Sequence, residues 1–316
     1  MMKKINDIIG DAKTIGIAGH LRPDGDCMGS CMSLYNYLKK NRPDLDVRVF
    51  LEFVDKKFNI IENTDQIITT GYDGTKFDLF ISLDTASLDR LGLNLPFYEN
   101  AKRTACIDHH ASNDGYADYN YILPKASSAS EVLYDLLDED LIDNAIAEPM
   151  YMGIAHDSGV FRFQSTTPKT MRIAANMIEK GVNVNMILEE TFFRKTYNQM
   201  MVTAKIQSEA VLALDGKCIY GYCTSEMMEE YGVTTKDLDA VVASIRNVDG
   251  VEVAMFLYQL SEDSYKVSLR SKNYVDVSKI AVENGGGGHV RAAGAEIHGE
   301  LNDIINKLLN RIKQDI

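Results

Sequence analysis

Short apolar runs alternate with helix-spaced apolar positions through the first half of the chain. The runs at Thr14–Ala18 (TIGIA), 47–51, 78–83 (DLFISL) and 104–107 read as buried strands. Between the first two, 26–40 places Met28, Met32, Leu34, Tyr35 and Leu38 at helical spacing, and further helical patterns cover 127–139, 143–155, 168–180 and 196–213. This alternation predicts a mostly parallel sheet covered on both faces, with ligands collecting at the carboxyl ends of its strands. The second half changes character. Strands are expected at 217–223 and 251–260, and 265–270 alternates with period two after a hairpin connection at 261–264. Helices are expected at 235–245, 276–283 and 301–314, with a glycine run before the last. The expected fold class is α/β. A lobe at 1–190 holds the mostly parallel sheet, 191–213 forms a helical linker, and 214–316 forms a smaller α/β lobe, with a cleft between the lobes.

Chemistry concentrates where the predicted strands end. The first runs into Gly19-His20-Leu21-Arg22-Pro23-Asp24-Gly25-Asp26, the third ends at Asp84, and the fourth ends at Asp108-His109-His110. The 143–155 helix runs into His156-Asp157-Ser158-Gly159. Taken singly, each has a bland reading: an Asp after a strand is commonly a helix N-cap, and a His in a turn is commonly structural. Four such clusters delivered from one sheet edge point instead to a shared site. Carboxylates gathered there would raise one another's pKa. A pair of divalent cations removes that cost, and mixed oxygen and imidazole donors suit Mn²⁺ or a related first-row ion. Two such ions, roughly 3.5–4 Å apart, activate a water and stabilise a leaving oxygen in phosphoester hydrolysis.

Charge and composition narrow the partners. The net charge of -13 is spread over both halves, which argues against long duplex nucleic acid but leaves small phosphate-bearing ligands open. No apolar run approaches the length of a membrane span, and residues 1–7 lack the apolar core of a signal peptide. Five cysteines without regular spacing suggest reduced thiols, so a cytoplasmic protein with no membrane association is expected. Cys27 and Cys31 share a predicted helix face but no second pair accompanies them, which favours buried thiols over a zinc site.

The ordered set His20-x-x-x-Asp24-x-Asp26, Asp84, Asp108-His109-His110 and Asp157 resembles the four motifs of the DHH phosphoesterase superfamily. Gly285-Gly286-Gly287-Gly288-His289 resembles the GGGH segment of the DHHA1 domain. Together they span nearly the whole chain, and the likeness is to the bacterial nanoRNase/pAp-phosphatase group. The resemblance implies two metal ions, one held by His20, Asp24 and Asp84, the other by Asp26, Asp84, His109 and Asp157, with Asp84 bridging. His110 would contact the phosphate or protonate the leaving group, and Asp108 would orient it. His156 departs from the small residue the family often has before the last Asp, and it reads as structural.

On the substrate side, Ser268-Leu269-Arg270-Ser271-Lys272 places Arg and Ser at a strand end, and guanidinium suits bidentate phosphate contacts. Four glycines are on composition alone a flexible turn, and they match neither a Walker A loop nor G-x-G-x-x-G. The resemblance makes Arg270, Ser271, Gly287, Gly288 and His289 the residues that grip the nucleotide. Arg291 adds a donor, while Arg246 and Asn113 are weaker candidates. The implied activity is hydrolysis of short nucleotides by a metal-bound hydroxide: RNA oligomers of a few units, 3′-phosphoadenosine 5′-phosphate (pAp), or linear and cyclic dinucleotides. A homodimer is also implied. The rivals are a manganese-dependent inorganic pyrophosphatase, against which the glycine-histidine segment argues, and a non-catalytic nucleotide- or RNA-binding regulator on the same scaffold.

Overall fold

The computed structural model describes residues 4–238 and 241–316. Residues 1–3, part of the segment read above for a signal peptide, and 239–240, within the expected 235–245 helix, lie outside them. The chain divides into two compact units, Met1–Arg194 and Lys195–Ile316.

The first unit is built on five parallel strands: β1 Thr14–Ala18, β2 Asp46–Phe50, β3 Leu79–Leu83, β4 Thr104–Asp108 and β5 Tyr119–Ile122, in the order β2-β1-β3-β4-β5. The three central strands β1, β3 and β4, buried on both faces, are apolar nearly throughout. Ile15, Ile17, Ile81 and Leu83 face a core shared with the helices Gly25–Asn41, Ala129–Leu136 and Asn144–Asp157. Ala18, Phe50 and Phe80 face an aromatic cluster with Phe77 and Phe97. The order reverses between β1 and β3, and in doubly wound sheets ligands bind in the crevice at that switch point. The register matters there: Ala18 pairs with Ser82 and Leu83 with Ile107. His20 and Asp84, each two residues further on, therefore emerge at one level, beside Asp108.

Helices Gly25–Asn41 and Asn144–Asp157 touch backbone to backbone. A Cβ at Gly29 would meet the Pro149 carbonyl and lie 2.8 Å from the Gly153 nitrogen. A Cβ at Gly153 would strike Ser130 and come 2.7 Å from an Asp26 oxygen. These glycines let the helix that carries Asp26 in its first turn approach the one that ends at Asp157.

The second unit holds a six-stranded mixed sheet of β6 Val211–Ala213, β7 Cys218–Cys223, β8 Val253–Ser261, β9 Ser264–Ser271, β10 Gly287–His289 and β11 Ala292–His298. Its order is β10-β11-β9-β8-β7-β6, parallel only between β7 and β8. Helices Val277–Val282 and Leu301–Ile312 pack on one face, and Tyr197–Glu209 and Val241–Ile245 share the other core.

The stretch 191–213 is not one helix. It contains the end of a π-turn at Glu189–Phe193, the helix Tyr197–Glu209 and strand β6. Ala210 turns extended, and 211–213 pairs with β7. The strands β5, β10 and β11 were not anticipated. Among the described residues no helix is long and apolar enough to cross a membrane. All five cysteines are buried and free.

Gly29→Ala should destabilise the protein. The helix-propensity gain of about 1 kcal/mol is outweighed by overpacking against fixed backbone, about 1–3 kcal/mol or more. Thermal or denaturant unfolding checks this, and a midpoint at or above wild type would contradict the close helix contact.

Candidate metal centre

The six residues expected as metal ligands come together. Asp84 lies at the end of β3 with its two oxygens turned to different neighbours. Oδ2 is 3.4 Å from His20 Nε2, and Oδ1 is 3.4 Å from His109 Nε2 and 3.7 Å from His110 Nδ1. On one side, Asp24 Oδ2 is 3.7 Å from His20 Nε2. On the other, His109 Nε2 lies 3.2 Å from Asp157 Oδ2 and 4.0 Å from Asp26 Oδ2. Donor atoms of Asp26, His109 and Asp157, and of Asp84, His109 and His110, are mutually close enough to share an ion. The same holds for His20, Asp84 and the thiol of Cys27, a residue read above only as a buried thiol.

Neighbouring groups fix each side chain. Asp24 caps the helix Gly25–Asn41, its Oδ1 accepting from the N–H groups of Asp26 and Cys27 at 3.0 and 3.1 Å. Asp26 is fully buried and accepts from the backbone N–H groups of Ala129 (2.6 Å) and Ser130 (3.0 Å), at the start of the helix Ala129–Leu136. Unpaired N–H groups and the helix dipole favour negative charge there. His20 Nδ1 donates to the Leu21 carbonyl at 2.7 Å, which leaves Nε2 as the ligating atom. His110 Nδ1 pairs with Asp108 Oδ1 at 2.8 Å, and Asp108 Oδ2 accepts from Asn113 Nδ2 at 2.7 Å. Asp84 has φ 50°, left-handed for a non-glycine residue, and its N–H donates to the Ile107 carbonyl at 3.1 Å. Such conformations cost of order 1–3 kcal/mol and concentrate at functional sites.

Buried carboxylates and imidazoles set one another's protonation here. Burial opposes a charge on His20, but Cys27, Asp24 and Asp84 around it push its pKa up to about 12. Burial likewise opposes charge on His109, and Asp84, Asp26 and Asp157 raise it to about 10. Asp84, though buried, is held well below the carboxylate range by His109 and His20. Burial and the Asp84 charge push Asp26 up to about 7 against His109 and Ser130. Burial and Asp26 raise Asp157 well above its ordinary value. A carboxylate-imidazole donor set of this kind fits a first-row divalent ion.

His156 is not part of this set. Thr191 Oγ1 donates to the Ile187 carbonyl at 2.6 Å, so His156 Nε2 donates to Thr191 at 2.9 Å. Burial, helped by Lys57, lowers its pKa to about 4, and the neutral ring packs edge-on against Phe192.

The chain matches the DHH family, N-terminal domain, over residues 14–154, and the DHHA1 domain over 215–315. It is 31% identical over 313 residues to a bifunctional oligoribonuclease and PAP phosphatase NrnA of Thermus thermophilus, covering 96% of this chain and 90% of that one. The chain belongs to the DHH family of phosphoesterases. This DHH protein is also 27% identical over 290 residues to the NrnA of Bacillus subtilis, covering 90% of each chain. Its fold is that of a crystal structure of an exopolyphosphatase-related protein from Bacteroides fragilis, with a TM-score of 0.89 at 22% identity over 98% and 95% of the two chains. Proteins of the DHH family are metal-dependent, and the cluster around Asp84 supplies groups that could hold the metal.

The expected substrate residues of the DHH protein lie in its second unit. Arg270 sits on β9 across from Ala254 and Ala292. Ser271 is buried, its hydroxyl donating to the Val275 carbonyl at 2.7 Å. The glycine run is partly an edge strand. A Cβ at Gly286 would strike the Gly294 carbonyl, and one at Gly288 would lie 2.6 Å from the Ala292 carbonyl, so close approach to β11 requires both glycines. Gly287 faces open space, and His289 is exposed.

Sequence reasoning missed Arg90, whose Nη2 is 3.3 Å from His20 Nδ1, and the Ala129 and Ser130 N–H groups on Asp26. No pattern marks an exposed Arg in a short turn. The helix start, however, carries a Ser128-x-x-Glu131 spacing that could have located it.

Binding of a divalent ion should release protons at neutral pH, because His20 and His109 must give up theirs, and affinity should rise with pH. Calorimetry with Mn²⁺ in buffers of different ionisation enthalpy checks this. Heats independent of buffer, with affinity flat between about pH 6 and 8, would remove both imidazoles from the ligand set.

Proposed function

We propose that this protein hydrolyses phosphoesters of short nucleotides, with pAp and RNA oligomers of a few units as substrates, at a dinuclear site bridged by Asp84. The observation that carries this reading is the division of the Asp84 oxygens between two donor groups. His20, Asp24 and Asp84 would hold one ion, and Asp26, Asp84, His109 and Asp157 the other. Two divalent ions, Mn²⁺ the expected pair, would supply an activated water and neutralise charge on the transferring phosphoryl group when bound.

The protein's own groups do the rest. His110, whose Nδ1 pairs with Asp108, would contact a phosphate oxygen or pass a proton to the leaving group. Asn113, bonded to Asp108 Oδ2 and to the Thr85 carbonyl at 3.1 Å, keeps that carboxylate from turning away. In the second unit, Arg270, Gly287, Gly288 and His289 are the groups we assign to the nucleotide, with Ser271 shaping the turn beside them. The substrates named for the relatives, oligoribonucleotides and PAP, fit this division of labour.

Asp84→Asn keeps the side-chain shape and tolerates a left-handed backbone, yet it removes the bridging charge. Hydrolysis of a diribonucleotide and of pAp with Mn²⁺ should fall by more than the roughly 10–100-fold typical of groups that merely support a ligand. The unfolding midpoint of the metal-free protein should not fall. Turnover within a few-fold of wild type would refute the bridging role. Wild-type protein that cleaves pyrophosphate and neither nucleotide would refute the substrate assignment.

A further inference from the structure

Glu252 lies in the second unit, immediately before β8, and none of the motifs above includes it. It is 3% exposed, and among the described residues no Lys or Arg forms an ion pair with it. Its carboxylate is instead wrapped by the loop that follows β9. It accepts from the backbone N–H groups of Asn273 (3.0 and 3.1 Å to its two oxygens), Tyr274 (2.8 Å) and Val275 (3.0 Å), and from Asn273 Nδ2 (3.1 Å). Its own carbonyl accepts from the Lys272 N–H at 2.9 Å. Burial opposes the charge, but the Val275, Tyr274 and Asn273 donors outweigh it and hold the carboxyl below its ordinary pKa.

The pinned loop has one further contact of consequence. The Val275 carbonyl accepts from Arg291 Nη1 at 2.7 Å and from the Ser271 hydroxyl at 2.7 Å. Arg291 Nη1 also lies 3.4 Å from Ser271 Oγ, and the Ser271 N–H donates to the Arg291 carbonyl at 3.1 Å. Among the described residues no carboxylate pairs with Arg291, and only its Nη1 is given to protein acceptors. In a chain of net charge -13, a half-buried guanidinium anchored by one nitrogen and left without an acidic partner is arranged for an anion from outside. Its planar fork matches phosphate.

We propose that Arg291 binds a phosphate of the nucleotide, one that is not being cleaved, and that Glu252 is the positioning residue that sets Arg291 through the Val275 peptide. This rests on the nucleotide phosphoesterase reading, which places cleavage at the carboxylates of the first unit. A carboxylate that only braced the loop would matter to stability alone. One that positions Arg291 must matter to phosphate affinity, and only while Arg291 is present.

The test is calorimetric titration of pAp, with adenosine as the phosphate-free control, into metal-free full-length protein. The chains compared are wild type, Arg291→Ala, Arg291→Lys, Glu252→Gln and the Arg291→Ala/Glu252→Gln double variant. Without a divalent ion, turnover does not enter, so the result stands apart from the hydrolysis assays above. Arg291→Ala should weaken pAp binding about tenfold or more, the scale of a lost charge-assisted hydrogen bond, with adenosine unaffected and Arg291→Lys intermediate. Glu252→Gln should weaken pAp in the same direction, and the double variant should bind no more weakly than Arg291→Ala alone. Wild-type pAp affinity in Arg291→Ala would overturn the proposal even if Glu252→Gln fails to fold. Losses that multiply in the double variant, or a Glu252→Gln chain that melts earlier but binds pAp normally, would overturn the positioning role.

Discussion

Asp84 is the group on which the first unit turns. It is a buried carboxylate on a left-handed backbone at the point where the strand order reverses, and each of its oxygens faces a different imidazole. Burying a charge is costly unless it is paired. Here the pairing comes from His20 and His109, which also face the carboxylates of Asp24, Asp26 and Asp157. The whole set is one electrostatic unit, because moving any member changes the protonation of the others.

The scaffold spreads that cost over several elements. A helix N-terminus receives Asp26, a helix cap uses one oxygen of Asp24, and Asn113 with Asp108 holds His110. Another buried carboxylate, Glu131, reinforces the same corner by accepting from Ser127 at 2.6 Å and Thr170 at 2.7 Å, joining the start of one helix to the start of another. These groups never reach the cluster themselves. They fix the rotamers of those that do, which holds a set of like charges in one geometry.

The sequence made most of this architecture legible where its signals were strong. The apolar runs of β1, β3 and β4 and the motifs at their ends lie within a few residues of one another, so strand order alone carried His20, Asp84 and Asp108-His109-His110 to one edge. Other elements were masked by their composition. Strand β5 (YNYI) is short and half polar, and β11 (AAGAEIH) is built from small residues. The apolar residues of β6 continue the helical spacing of the segment before them. In each case the partner strand, not local preference, decides the conformation. Backbone donors such as the N–H groups of Ala129 and Ser130 leave no mark of their own.

The glycines show how one residue type acquires several meanings. Gly29 and Gly153 keep two helices close enough for the start of one and the end of the other to meet at the cluster. Gly286 and Gly288 are fixed by close approach to the backbone of β11, a requirement of packing. Gly287 alone of these three consecutive positions has open space where a side chain would project. A glycine-rich motif is therefore not uniformly a cradle. Gly286 and Gly288 let the chain lie against β11, whereas Gly287, paired in the same strand, carries no such packing constraint on its side chain.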